Sequence, residues 1–181
     1  SLIIFISTCA SFFIPNVAKT ISHDIDVIID AGHGLPDGGA VANDGTTEAD
    51  LNLAIAIMLN DLLEQNGLKC VMTRSTCDSI YSEGNNIHSK KISDIRNRVK
   101  ISKEHPEALL VSIHMNTYPS EDVYGAQVFY NKNSDFSKSV ASELQNAVNL
   151  NFQKENSKSI KQIPGNVYLF NHVPNDCVLI E

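Results

Sequence analysis

The stretch from Asp26 to Ala31 constrains this chain most: Val27-Ile28-Ile29 is continuously apolar and, past Asp30-Ala31, breaks at once into Gly32. A short unbroken apolar run fits a strand covered on both faces, as in a parallel sheet. Gly32, Gly34, Pro36, Gly38, Gly39 and Gly45 crowd the residues that follow, so this strand opens into a long loop. Glu48 to Gln65 then reads as a helix, apolar almost all round and therefore expected to be deeply packed. Thr47 serves as its N-cap, Glu48 falls in the first turn, and Asn66-Gly67 ends it. Leu68 to Thr73 reads as a second strand. A strand, helix, strand unit crosses over right-handed, which makes its two strands parallel.

The same alternation continues. Residues 75–90 are polar and read as loop, Lys91 to Glu104 as a helix with Ile92, Ile95, Val99 and Ile101 on its apolar side, and Pro106 as its end. Leu109 to Ile113 is a third buried strand and Gly125 to Tyr130 a fourth. Ser134 to Leu150 is a helix, residues 151–164 a polar stretch, and Val167 to Phe170 and Cys177 to Glu181 two more short strands. The expected architecture is a single α/β domain, a mostly parallel twisted sheet with helices on both faces.

Composition narrows the function classes. At 181 residues the chain has room for about one domain. A net charge of −7 with no basic run argues against nucleic acid as a partner. Hydrophobic residues at 43% and charged residues at 19% exclude disordered and collagen-like chains. Cys9, Cys70, Cys77 and Cys177 form no C-x-x-C pair, which excludes a zinc finger. Cys70 and Cys77 flank a strand end and its loop, an arrangement compatible with a disulfide or with small buried thiols.

The two ends carry expectations of their own. Leu2 to Val17 holds about a dozen apolar positions, with no charge before Lys19 and an interruption at Pro15, too short for a firm membrane span. It resembles the apolar part of an export signal, so residues 1–22 read as a truncated signal or anchor segment and 23–181 as the functional domain. Export to the cell envelope follows, with membrane contact only through the N-terminal segment; a buried N-terminal strand or helix is the competing reading. At the other end, an apolar run directly before Glu181 with no cap or polar tail suggests a truncated C-terminus.

In an open α/β sheet, ligands bind at the carboxyl ends of the strands. His33 lies two residues past the first strand, His114 directly follows the third, Glu181 ends the last, and Glu48 enters from the Gly-rich loop. Two imidazoles and one carboxylate with a vacant fourth position are the usual make-up of a catalytic zinc site. Each residue also has a bland reading: a loop histidine, a first-turn acid satisfying the helix dipole, a surface glutamate. Their convergence on different strand ends is what favours a metal.

The segments Ile29-Asp30-Ala31-Gly32-His33-Gly34-Leu35-Pro36-Asp37-Gly38-Gly39-Ala40, Glu48, Thr73-Arg74, Arg98 and Val111-Ser112-Ile113-His114-Met115-Asn116 resemble the zinc-dependent N-acetylmuramoyl-L-alanine amidases, bacterial cell-wall hydrolases. The resemblance runs in order from about residue 26 to residue 181. It implies that His33, Glu48 and His114 bind Zn²⁺ and that Glu181 is the catalytic acid/base. It implies a peptidoglycan substrate, glycan and stem peptide, and for some relatives an accessory activating protein. The Pro36-Asp37-Gly38-Gly39-Ala40 loop, with Gly38 where many members have Pro, most resembles the sporulation-type, CwlD-like branch, which points to the spore cortex and the forespore intermembrane space. The family pattern continues past the Glu with Gly-Phe, Ser-Asn and a final helix, which do not appear here.

Around this set, Asp30 and Asp37 are candidates to orient the imidazoles, and Asn116 to hydrogen-bond substrate. Arg74 and Arg98 pair with buried acids or meet substrate carboxylates. His23, His88, His105 and His172 sit in polar stretches without an assigned role. Two other classes stay open: another zinc hydrolase of the wall, peptidase or deacetylase, and a wall-binding module without turnover.

Overall fold

A computed structural model describes residues 24–116, 125–151 and 158–181. The expectations for Cys9, His23 and the N-terminal signal segment lie outside the described residues. In chain order the elements are β1 (Val27–Ala31), α1 (Glu48–Gln65), β2 (Cys70–Met72), α2 (Ile87–Glu104), β3 (Leu109–Ile113), β4 (Val128–Tyr130), α3 (Asp135–Asn151), β5 (Lys161–Gln162), α4 (Tyr168–His172) and β6 (Cys177–Ile180). The strands form one sheet in the order β2-β1-β3-β6-β4-β5. β2, β1, β3 and β6 are mutually parallel, β4 runs antiparallel to β6, and β5 is parallel to β4.

Side-chain alternation along β1 splits the core. Val27, Ile29 and Ala31 join Val111, Ile113 and Val178 on the face covered by α1 and α3, through Ala56, Val140 and Ala141. Ile28, Leu110 and Cys177 lie on the other face, against Val99 of α2 and Leu169 of α4. Asp30, between Ile29 and Ala31, therefore points to the α2 side.

Four local expectations need correction. α1 begins and ends as its caps dictate, with Thr47 Oγ1 accepting from the Asp50 amide, but it is packed along one stripe only. Leu51 and Ile57 remain 43% and 40% exposed, because a helix on one side of a sheet has only one face to bury. α2 starts at Ile87, inside the expected loop. The Asn86 side chain accepts from the Ser89 amide and Ser89 Oγ accepts in turn from the Asn86 amide, a capping box in which Ser replaces the usual Glu or Gln. Residues 167–170, expected as a strand, form the start of α4. Val-Tyr-Leu-Phe has strand propensity but finds no sheet edge; Pro164 and Pro174 bracket it, and the Asn171 amide closes a helical turn onto the Val167 carbonyl. β5, two exposed residues long, lies inside the stretch expected to be irregular.

Cys70, Cys77 and Cys177 are free thiols, so the Cys70–Cys77 pairing does not form. Cys177 is buried and Cys77 exposed. No helix among the described residues is long and apolar enough to cross a membrane.

Candidate metal centre

From β1 the chain moves to β2 on one side, then returns to β3 on the other, so the strand order reverses between β1 and β3. Such a reversal opens a crevice at the carboxyl ends of the two strands. Register does the rest. Ala31 pairs with Ile113, and Ile113 with Ile180. His33, His114 and Glu181 thus leave three neighbouring strands at nearly one level, the strands being about 4.8 Å apart.

His33 turns back over the sheet through a left-handed backbone, φ 60°. Its Nδ1 is 2.9 Å from Asp37 Oδ2, and its Nε2 lies 3.3 Å from Glu48 Oε1. Burial holds the Asp37 carboxyl up, but the hydrogen bonds from His33 and Lys91 outweigh it and place it below the ordinary carboxylate value. An ionised carboxylate only accepts, so Nδ1 carries a hydrogen, and Nε2 is the nitrogen left to face Glu48 and, once deprotonated, to bind a metal. His114 approaches from β3, with Nδ1 2.9 Å from Glu48 Oε1. Its ring packs over Gly32, where a Cβ would sit inside contact distance of the imidazole. The two imidazole centroids are 4.9 Å apart.

Glu48 is placed by the N-terminus of α1. Oε2 accepts from the Ala40 amide at 3.0 Å, and Oε1 from the Met115 amide at 3.0 Å. Burial alone would raise its pKa. The hydrogen bonds from His114, His33 and Ala40 prevail and push it far below the usual carboxylate range. Gly39 leaves room for it, with φ 68° and a Cβ position 2.6 Å from Oε2.

His33, Glu48 and His114 thus bring one ligand atom each to within 4.8 Å of one another. The donors match the make-up of a three-ligand zinc site with an open position. The residues fit such an ion, with an anionic donor, two imidazoles and at His33 a tautomer already selected.

Glu181 stands beside this set. Its backbone pairs with Gln127, and Asn116 Nδ2 donates to its Oε2 at 3.4 Å. Burial first, and then the negative charge of Glu48, raise its pKa against the opposing pull of His114.

All four sequence candidates therefore meet at one end of the sheet. Asp37 orients His33, whereas Asp30 touches neither imidazole. Asn116, expected to face substrate, donates to Glu181. Arg98 pairs with the buried acids Asp30 and Asp94, as expected, whereas Arg74 donates not to an acid but to the carbonyls of Ala31, Gly32, Ala49 and Thr76. Sequence reading missed Lys91 and Asn52. Lys91 Nζ lies 2.9 Å from Asp37 Oδ2, with no sequence signal to announce it. Asn52 Nδ2 donates to the Gly32 carbonyl, and its spacing four residues past Glu48 put it on the same helix face.

Residues 27–181 match the family model described as N-acetylmuramoyl-L-alanine amidase (Amidase_3). A germination-specific N-acetylmuramoyl-L-alanine amidase of Bacillus subtilis is 35% identical over 156 residues, 86% of this chain and 65% of the relative. A Buchnera aphidicola protein named "Putative N-acetylmuramoyl-L-alanine amidase" is 27% identical over 149 residues, 82% of this chain and 57% of its own length. The chain thus spans less than two thirds of either relative. Among solved structures, the CwlD amidase of Clostridioides difficile in complex with the GerS lipoprotein superposes with a TM-score of 0.81 at 34% identity, covering 87% of this chain and 81% of that one.

Proposed function

Because the chain belongs to the N-acetylmuramoyl-L-alanine amidase family, we propose that it is a zinc-dependent hydrolase cutting the amide between N-acetylmuramic acid and the L-alanine that begins the stem peptide. The observation that carries this reading is the convergence of His33, Glu48 and His114 beside Glu181 where the strand order reverses. A bound Zn²⁺ would lower the pKa of a water to about 7 and polarise the scissile carbonyl.

The residues divide the remaining work. His33, Glu48 and His114 would hold the ion, with Asp37 engaging His33 Nδ1 so that Nε2 is the nitrogen turned inward. Glu181 takes the proton from the attacking water and returns it to the leaving nitrogen, since an amide nitrogen departs only when protonated. Its raised pKa suits both halves of that task. Asn116, donating to Oε2, steadies the carboxylate and leaves Oε1 for the proton.

The setting is the cell envelope. The germination-specific relative and the CwlD neighbour support action on spore-cortex wall material, in the step leading to muramic-δ-lactam. That neighbour's complex with a lipoprotein supports an accessory protein partner here too.

The test is digestion of purified peptidoglycan with added Zn²⁺, followed by mass analysis. Stems beginning at L-alanine and glycan carrying intact lactyl groups are expected. Cleavage between two amino acids, or loss of acetyl groups, would overturn the assignment.

A further inference from the structure

Arg98 lies beneath the candidate metal centre, on the α2 side of the sheet, with its side chain 2% exposed. Nε donates to Asp94 Oδ2 at 2.7 Å, and Nη2 lies 3.3 Å from Asp94 Oδ1. Nη1 donates to Asp30 Oδ1 at 2.6 Å and to the Ala31 carbonyl at 2.7 Å. Nη2 donates to the carbonyl of His33 itself, at 2.6 Å. A buried ion pair is weak evidence of stabilisation, because well-packed apolar residues often replace one at no cost. The bond to His33 is what an apolar filler would not supply.

His33 needs such a bond. A non-glycine residue is strained in the left-handed region, and this one sits at φ 60°. The Arg98 contact pins the carbonyl on one side of that residue while Asp37 pins the ring on the other. The network also reaches the second imidazole. Asp30, held by Arg98, accepts from Thr73 Oγ1 at 2.9 Å and from Ser112 Oγ at 2.7 Å. Ser112 lies on β3, two residues before His114. One guanidinium is therefore bonded directly to His33 and, through Asp30, to the strand that delivers His114.

We propose that Arg98 is a positioning residue for the metal centre, fixing the His33 backbone and its spacing from His114 before any ion arrives. This rests on reading His33, Glu48 and His114 as metal ligands. Arg98 touches neither substrate nor reacting atoms; it acts through the geometry of the two imidazoles.

The experiment titrates the metal-free protein with Co²⁺ and reads both affinity and the visible d–d spectrum. Arg98→Lys keeps a charge between Asp30 and Asp94, but a single ammonium cannot span both carboxylates and the His33 carbonyl. It is expected to bind Co²⁺ about 10–100-fold more weakly, with an altered spectrum. Val140→Ala, a core truncation on α3, is the control: it lowers the urea midpoint and keeps the native affinity and spectrum. Native-like binding by Arg98→Lys overturns the proposal, as does an equal loss of affinity in Val140→Ala. Should Arg98→Lys fail to fold, Ser112→Ala decides. Several-fold weaker binding with a changed spectrum supports the proposal, and unchanged binding overturns it. A wild-type protein that takes up no Co²⁺ overturns the metal-centre reading and this inference together, whereas native-like Arg98→Lys overturns this inference alone.

Discussion

Asp37 Oδ2 lies 2.9 Å from His33 Nδ1 and also 2.9 Å from Lys91 Nζ, so a single carboxylate joins the Gly-rich loop to α2 and sets the tautomer of a candidate ligand. The contact costs little to form, since the two loop residues are only four apart. Its consequence falls on Nε2, which is left facing Glu48.

Removing that carboxylate should loosen the metal without unfolding the protein. Asp37 is a half-buried loop residue, so Asp37→Ala is expected to keep its circular dichroism and lose about 10–100-fold in zinc affinity. Competition against a chromophoric chelator measures it.

Metal retention separates the proposed base from the proposed ligands. Glu181→Gln should hold one zinc per chain and lose about 10²–10⁴-fold in turnover. His33→Ala and His114→Ala should lose both metal and turnover. Metal analysis with muropeptide release reads the two quantities, and zinc loss in Glu181→Gln would show that Glu181 is a ligand.

Gly32 makes a steric prediction. The His114 ring occupies the space a Cβ at position 32 would need. Gly32→Ala should therefore displace the imidazole and cut metal affinity by more than about 10-fold, on the scale seen when a ligand's support is removed. Isothermal titration of the metal-free protein with Zn²⁺ tests it; native affinity would mean that the ring has room to move.

The buried acid beneath the site gives a pH prediction. Burial acts to raise the Asp30 pKa, but Arg98 and the Ser112 hydroxyl outweigh it and hold it below its ordinary 3.8. A carboxylate with a depressed folded pKa binds fewer protons in the folded state, so its contribution to stability is present above the unfolded value and is lost as pH falls through the folded one. Urea midpoints of the metal-free protein should decline as pH drops below about 3.8. Asp30→Asn should flatten that decline and cost about 3 kcal/mol at neutral pH, because it leaves Arg98 buried with one partner fewer.

Sheet and site differed in how far they could be read from the chain. β1, α1 and β3 were readable nearly to the residue, because unbroken apolar runs, a Thr cap and an Asn-Gly stop are local signals. His33, Glu48 and His114 were readable for the same reason, each sitting near the end of an element whose end is marked; Glu181 follows an apolar run with no such mark. The start of α2 was not, since Asn86 and Ser89 form their box with an unusual partner. Val167 to Phe170 was misjudged because strand propensity becomes a strand only where an edge is free to pair.

What local chemistry determined was the set of donors and the strand ends that carry them. What only the folded molecule decided was which nitrogen of each imidazole faces Glu48, and which side chains hold it there. Lys91 meets Asp37, and Arg98 meets the carbonyl of His33, 65 residues away. Those contacts depend on the reversal of strand order between β1 and β3 and on the face to which Asp30 alternates. Distances between remote segments follow from packing and register, and no local pattern in a chain encodes them.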